Sequence, residues 1–166
     1  FRFAYDRVLG PQTNQLGVFE AVRPFCQSAL DGYKVCIFAY GQTGSGKTHT
    51  MLGPPTGGNE DDAGILQRSL GLVFDGVSML EQTQDWKFEL SVEMLEIYLD
   101  GVYDLLGDST EKLTVRETLE EDIVVENLTR RKVECAEDAD QILRAASRNR
   151  HTAATNSNKT SSRSHC

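Results

Sequence analysis

Apolar positions in this chain fall into three helical stretches, several short strands and a long polar end. Leu16, Phe19, Val22, Cys26 and Ala29/Leu30 recur every three or four residues, which predicts an amphipathic helix over about residues 15–30. Residues 1–9 before it read as a short strand, closed by the turn formers Gly10-Pro11-Gln12-Thr13-Asn14. Asp31-Gly32 ends the helix, and the unbroken apolar run Val35-Cys36-Ile37-Phe38-Ala39-Tyr40 reads as a buried strand. Leu66, Leu70, Val73, Phe74, Val77 and Leu80 mark a second helix to about Glu81. Ahead of it, residues 53–64 are rich in Gly, Pro and acidic side chains, so an exposed, mobile loop is expected there, interrupting one long helix.

Further on, Trp86, Phe88, Leu90, Val92 and Met94 alternate with Lys87, Glu89, Ser91 and Glu93, the pattern of a half-buried strand. The apolar phase then moves to Leu95, Ile97 and Leu99, which predicts a bulge or bend. Val102-Tyr103-Asp104-Leu105-Leu106 reads as a helical turn, and short strands follow near residues 113–116 and 123–126. Ala139, Ile142, Leu143 and Ala146 share one face of a helix over about residues 137–149. Residues 151–166 carry no apolar periodicity, so burial cannot hold them; a ligand could, as in nucleotide-sensing loops.

Strand, loop and helix, with an earlier helix alongside, predict an α/β fold whose sheet is covered on both faces. At 166 residues, with 39% hydrophobic and 25% charged side chains, the chain can bury one real core. No apolar run is long enough to span a bilayer. There is no initiating Met or signal-peptide pattern, and residues 1–6 read as mid-strand, so the chain is expected to begin inside a longer protein. Cys26, Cys36, Cys135 and Cys166 show no metal-ligand spacing and are expected to be buried, reduced thiols. The net charge of −8 is unevenly spread: residues 141–166 hold five cations (Arg144, Arg148, Arg150, Lys159, Arg163) and no acid, leaving −13 on the rest. A basic end on an acidic body suits a phosphate-bearing ligand or an acidic protein surface, although cations also sit well at a helix C-terminus.

The sharpest chemistry lies in Gly41-Gln42-Thr43-Gly44-Ser45-Gly46-Lys47-Thr48, two glycines with four residues between them, then Lys and Thr. Glycines let the backbone turn its N–H groups inward toward phosphate oxygens. Lys47 would bring a mobile cation to the outer phosphates, and the Thr48 hydroxyl would hold Mg²⁺. A Gly/Ser-rich surface turn with a solvated Lys is the plain alternative; the apolar run in front argues against it.

With residues 38–51 (Phe38-Ala39-Tyr40 through His49-Thr50-Met51) the loop resembles that of kinesin motor domains nearly residue for residue. Residues 149–165, with Asn156-Ser157-Asn158-Lys159-Thr160-Ser161-Ser162-Arg163-Ser164-His165, are similar to the kinesin first switch loop. Glu96-Ile97-Tyr98 and Val102 to Leu106 match the family between them, so the resemblance covers essentially the whole chain. Residues 31–37 resemble the branch with a C-terminal motor. The fold implied is a P-loop NTPase of kinesin type, a mixed central sheet with helices on both faces, incomplete in residues 1–166. The second switch loop, Asp-Leu-Ala-Gly-Ser-Glu in the family, has no counterpart here, nor has the adenine-clamping Arg-x-x-Pro. The chain is therefore expected to be the N-terminal half of a motor head, folding poorly and inactive by itself.

The resemblance implies a role for each matching position. Gly41, Gln42, Thr43, Gly44, Ser45, Gly46 and Lys47 would wrap the triphosphate of ATP, with Thr48 on Mg²⁺ and His49 against the adenine. Ser161 and Ser162 would close on the γ-phosphate, with Ser162 also on Mg²⁺, and Asn158 would help position that site. Arg163 would pair with a glutamate of the second switch. Arg116, Arg130, Arg131 and Lys132 fall where the family contacts tubulin, although a charged, protected strand edge explains the trio equally well. The implied activity is that of a microtubule-stimulated ATPase and motor in the cytoplasm and cytoskeleton. No nucleic acid or membrane partner is expected, and a dimer would form through a coiled coil outside this chain. Two other readings are a motor-like binder that does not cycle ATP, and a GTPase. Intact Lys47, Thr48, Ser161, Ser162 and Arg163 oppose the first. Asn158-Lys159 hints at guanine recognition, but Ser161 stands where that motif needs Asp. Gln67 replaces the family's usual proline, which bears on the start of the second helix.

Overall fold

The computed structural model describes residues 2–54, 59–118, 123–149 and 164–165, and the chain divides into two compact units, residues 1–86 and 87–166. The first unit is helical. Helix α1 (Gln15–Leu30) begins where Asn14 Oδ1 accepts the Gly17 N–H at 2.9 Å, a side-chain N-cap. It buries Phe19 and Cys26 and packs on α3 (Ile65–Gln84), which buries Ile65 and Val77. The two helices approach closely at Gly76, where a Cβ would meet Leu30 Cδ1 at 2.5 Å. Cys26 Sγ lies 3.3 Å from Ser69 Oγ, so the buried thiol finds a polar partner. Both predicted helices are present, α1 at its expected bounds and α3 one turn longer. Leu16, at the start of the apolar face, stays 45% exposed.

Short helix α2 (Lys47–Leu52) follows the phosphate loop and touches α3. A 3₁₀ turn (Glu60–Asp62) leads into α3. Gly64 is the N-cap of α3, and Gln67 Oε1 accepts the Gly64 N–H at 3.1 Å, half of a capping box. Gln67 thus supplies a helix-starting hydrogen bond that proline could not. The acidic loop enters and leaves through a narrow neck: a Cβ at Gly64 would lie 2.5 Å from both Gly53 N and Met51 O. Arg68 ties the last loop residues to α3, donating through Nε to Ala63 O and through Nη2 to Asp61 O, each at 3.0 Å. Residues 55–58 of that loop lie outside the described residues.

The strands expected at residues 1–9 and 35–40 are absent among the described residues. Phe3, Tyr5 and Val8 are exposed, as are Phe38 and Tyr40, whose rings stack at 6.5 Å. Cys36 is exposed too, against the expectation of burial, whereas Cys26 is buried and Cys135 half-buried. The physical reason is that a strand exists through its ladder: an apolar run in extended backbone becomes one only beside partners, and the described residues supply none here.

The second unit carries all the described strands, every pair antiparallel. β1 (Leu90–Val92) pairs with β6 (Arg131–Val133), and β4 (Val115–Glu117) pairs with β5 (Ile123–Val125). β2 (Leu95–Tyr98) lies between β3 (Gly101–Asp104) and β7 (Ser164–His165). Helix α4 (Ala136–Ser147) buries Ala139 and Ala146 and touches β6, as its apolar face predicts. Two expectations change. Residues 102–104 belong to a strand rather than a helical turn, because Leu99 and Asp100, at φ 45° and 60°, reverse the chain in a two-residue hairpin turn. The inward set also runs unbroken from Phe88 through Met94 to buried Glu96 and half-buried Tyr98, leaving Ile97 47% exposed. Alternation belongs to the backbone, so it continued across the break between β1 and β2 although the apolar residues changed phase.

Asp104 anchors this unit from the end of β3. Its carboxylate accepts the Leu106 N–H at 2.8 Å and the Thr129 N–H at 2.9 Å. Burial alone would raise its pKa, but the Thr129 hydroxyl and the N–H groups of Leu106, Thr129 and Gly107 outweigh it and hold the carboxyl below its usual value. A depressed folded-state pKa gives stability that is complete above the unfolded value of about 3.9 and is lost as pH falls through the folded value. We therefore predict that Asp104→Asn costs about 1–3 kcal/mol near neutral pH. The gap from the parent should close as denaturation is repeated from pH 5 downward; a gap independent of pH would refute the charge-based account.

Candidate nucleotide-binding site

Local backbone chemistry shapes the phosphate loop within the first unit. Gly44 and Gly46 have φ of 80° and 93°, left-handed values that favour glycine, and Gly46 caps α2 in that conformation. A Cβ at either would meet open space, so the loop rim at these glycines is unobstructed. Ser45 N–H closes a turn onto Gln42 O at 3.2 Å. Lys47 folds back over the loop, donating to Gly41 O at 2.8 Å and Gln42 O at 2.9 Å. Its ammonium thus sits at the open side of a glycine-lined turn, where phosphate oxygens could replace carbonyl oxygens as acceptors.

Gln42, Thr43, Ser45, Thr48 and His49 are all exposed, so the loop presents its polar groups outward. Thr48, second residue of α2, fits the single hydroxyl ligand that Mg²⁺ takes beside substrate phosphates and waters. Among the described residues no cluster of three His, Cys, Asp or Glu side chains could hold a metal.

The structure brings the predicted residues Gly41 to His49 together. A neighbour that no sequence pattern pointed to is Gln15, whose Nε2 donates to His49 O at 2.7 Å across 34 residues. Only contact in space reveals it, since Gln15 is a lone polar side chain at the first position of α1 and carries no motif. Asn158, Ser161, Ser162 and Arg163, the expected switch residues, lie outside the described residues. Immediately after them, Ser164 and His165 pair with Tyr98 and Ile97 on β2.

Three of the four cationic positions singled out in the second unit have neighbours of opposite sign. Arg116 pairs with Glu126 at 3.0 Å, Arg130 with Glu93 at 2.6 Å and Lys132 with Glu89 at 3.5 Å. Arg131 reaches Leu106 O at 3.5 Å. The three arginine and lysine partners are more than 60% exposed, so each pair contributes at most about 1 kcal/mol and opens readily to an acidic competitor.

A family model described as the kinesin motor domain matches residues 1–166. The chain belongs to the kinesin motor-domain family. That membership carries the P-loop NTPase fold. Among its relatives, Protein claret segregational of Drosophila melanogaster is 41% identical, with 98% of this chain and 23% of the relative covered. Kinesin-like protein KIFC1 of Homo sapiens is 42% identical, with 98% and 25% covered. Carboxy-terminal kinesin 2 of Xenopus laevis is 39% identical, with 99% and 26% covered, and its name states the C-terminal placement suggested by residues 31–37. The chain spans about a quarter of the length of these kinesin relatives. No helix among the described residues is long and apolar enough to cross a membrane.

Proposed function

We propose that this chain is the nucleotide-binding part of a microtubule motor head, which hydrolyses ATP and couples its phosphate state to microtubule binding and movement. The observation that carries this reading is the Lys47 ammonium curled across the Gly41–Gly46 turn, a cation held where a triphosphate would lie. In this reading the loop N–H groups and Lys47 bind the phosphates, and His49 lies against the adenine. Mg²⁺, when bound, neutralises charge on the phosphates, with Thr48 and Ser162 as the residues that would hold it. Asn158, Ser161 and Ser162 order around the γ-phosphate and the attacking water. Arg163 passes that state to a glutamate of the second switch, so a loop ordered by phosphate becomes a two-state element.

The intact head would carry a mixed central sheet with helices on both faces. Residues 34–40 would form a strand of that sheet, which would cover Phe38 and Tyr40. Residues 1–166 by themselves would be inactive. Arg116, Arg130 and Lys132 would meet acidic tubulin by exchanging their exposed carboxylate partners for tubulin's, and Arg131 by leaving the Leu106 carbonyl. The whole protein would act in the cytoplasm on microtubules, as a dimer joined by a coiled coil outside this chain.

The test is phosphate release by the complete protein from ATP and from GTP, with and without microtubules. ATP turnover raised by microtubules is expected, with GTP the poorer substrate. Equal use of GTP would favour a GTPase, and ATP turnover indifferent to microtubules would overturn the motor reading.

A further inference from the structure

The phosphate loop and the residue placed against the base are held by separate contacts. Lys47 is fixed within the loop, on Gly41 O and Gln42 O. His49 belongs to a six-residue helix, too short to hold its own position by propagation alone. Two donors converge on its carbonyl: Gly53 N–H at 2.9 Å, from the neck of the acidic loop, and Gln15 Nε2 at 2.7 Å, from the start of α1. Asn14 caps α1, so the Gln15 amide is not needed for capping and reaches α2 instead. α1 in turn is anchored by its packing on α3.

We propose that Gln15 is a positioning residue for the nucleotide base, acting through the main chain of His49. The proposal rests on the reading that places His49 against the adenine. Gln15 ties the last turn of α2 to the anchored start of α1, which fixes where the imidazole is presented. Losing that tie lets His49 move without releasing Lys47. The expected signature is selective: a ligand with a base loses affinity, and a bare polyphosphate does not.

The test compares Mg·ATP and Mg·tripolyphosphate binding by the complete protein and its Gln15→Leu variant, which keeps bulk but has no donor. Loss of one hydrogen bond predicts ATP affinity about 3- to 10-fold lower, with tripolyphosphate affinity essentially unchanged. Gln15→Glu, similar in length and lacking the amide donor, should show the same selectivity and serves if the leucine variant does not fold. In a His49→Ala background, Gln15→Leu should have little further effect on ATP, because the group that it positions is gone. Equal loss of both ligands, no loss of either, or full additivity with His49→Ala would overturn the role of Gln15. If the parent itself binds ATP no better than tripolyphosphate, the placement of His49 against the base fails instead.

Discussion

Lys47→Ala is expected to reduce microtubule-stimulated phosphate release from ATP by at least about 100-fold, the scale set by removing a charge that stabilises a transferring phosphoryl group. The loop would keep its shape, because the left-handed turns at Gly44 and Gly46 and the Ser45–Gln42 hydrogen bond do not involve the lysine. What disappears is the cation bound to Gly41 O and Gln42 O, the charge that the proposed function directs at the phosphates. Folding should therefore be almost unaffected while turnover collapses. Lys47→Arg should also be strongly impaired, since a planar guanidinium cannot replace a compact ammonium on a flexible stem. Single-turnover phosphate release and thermal denaturation of the complete protein check both halves. Unchanged microtubule-stimulated release would sink the motor reading; equal losses of turnover and stability would show that Lys47 supports the loop rather than the ligand.

What could be read in the sequence followed from how local each signal is. The helices at residues 15–30 and 136–147 and the second long helix show in a 3.6-residue apolar period that one segment carries within itself. The phosphate loop was equally legible, because glycine spacing and the adjacent lysine specify backbone and charge together. Strands depend on distant partners. Residues 35–40 have the right composition and no ladder among the described residues. Residues 102–104 looked helical until a left-handed pair at Leu99 and Asp100 folded them onto β2. Glu96 shows the same limit from the other side: pleat geometry carries a carboxylate inward where apolarity alone would have chosen Ile97. Gln15 was illegible for a related reason, since a single side chain meeting a carbonyl 34 residues away leaves no pattern.

Two glycine-to-alanine changes in one helix should have opposite effects. Gly71 lies inside α3 with nothing within 4 Å of a Cβ, so Gly71→Ala should stabilise by about 0.5–1 kcal/mol through helix propensity and a smaller unfolded ensemble. Gly64, the N-cap of the same helix, has φ −77°, which alanine adopts without strain. Its added methyl would nevertheless meet backbone, with Gly53 N and Met51 O each at 2.5 Å, and neither can rotate away as a side chain could. The facing residue has little freedom to yield, because Gly53 at φ 75° and ψ −167° occupies a region essentially reserved for glycine. Gly64→Ala should therefore destabilise by about 1–3 kcal/mol or more, the usual cost of overpacking where nothing can relax. Relief would come by spreading the neck, which moves Gly53 away from His49 O and loosens α2. ATP affinity should fall with stability in Gly64→Ala and stay at the parent value in Gly71→Ala. Denaturant midpoints and ATP titrations of the complete protein decide it: shifts of the same sign at both glycines would mean that the neck is not tight, and that the acidic loop is joined to α2 and α3 only through the chain.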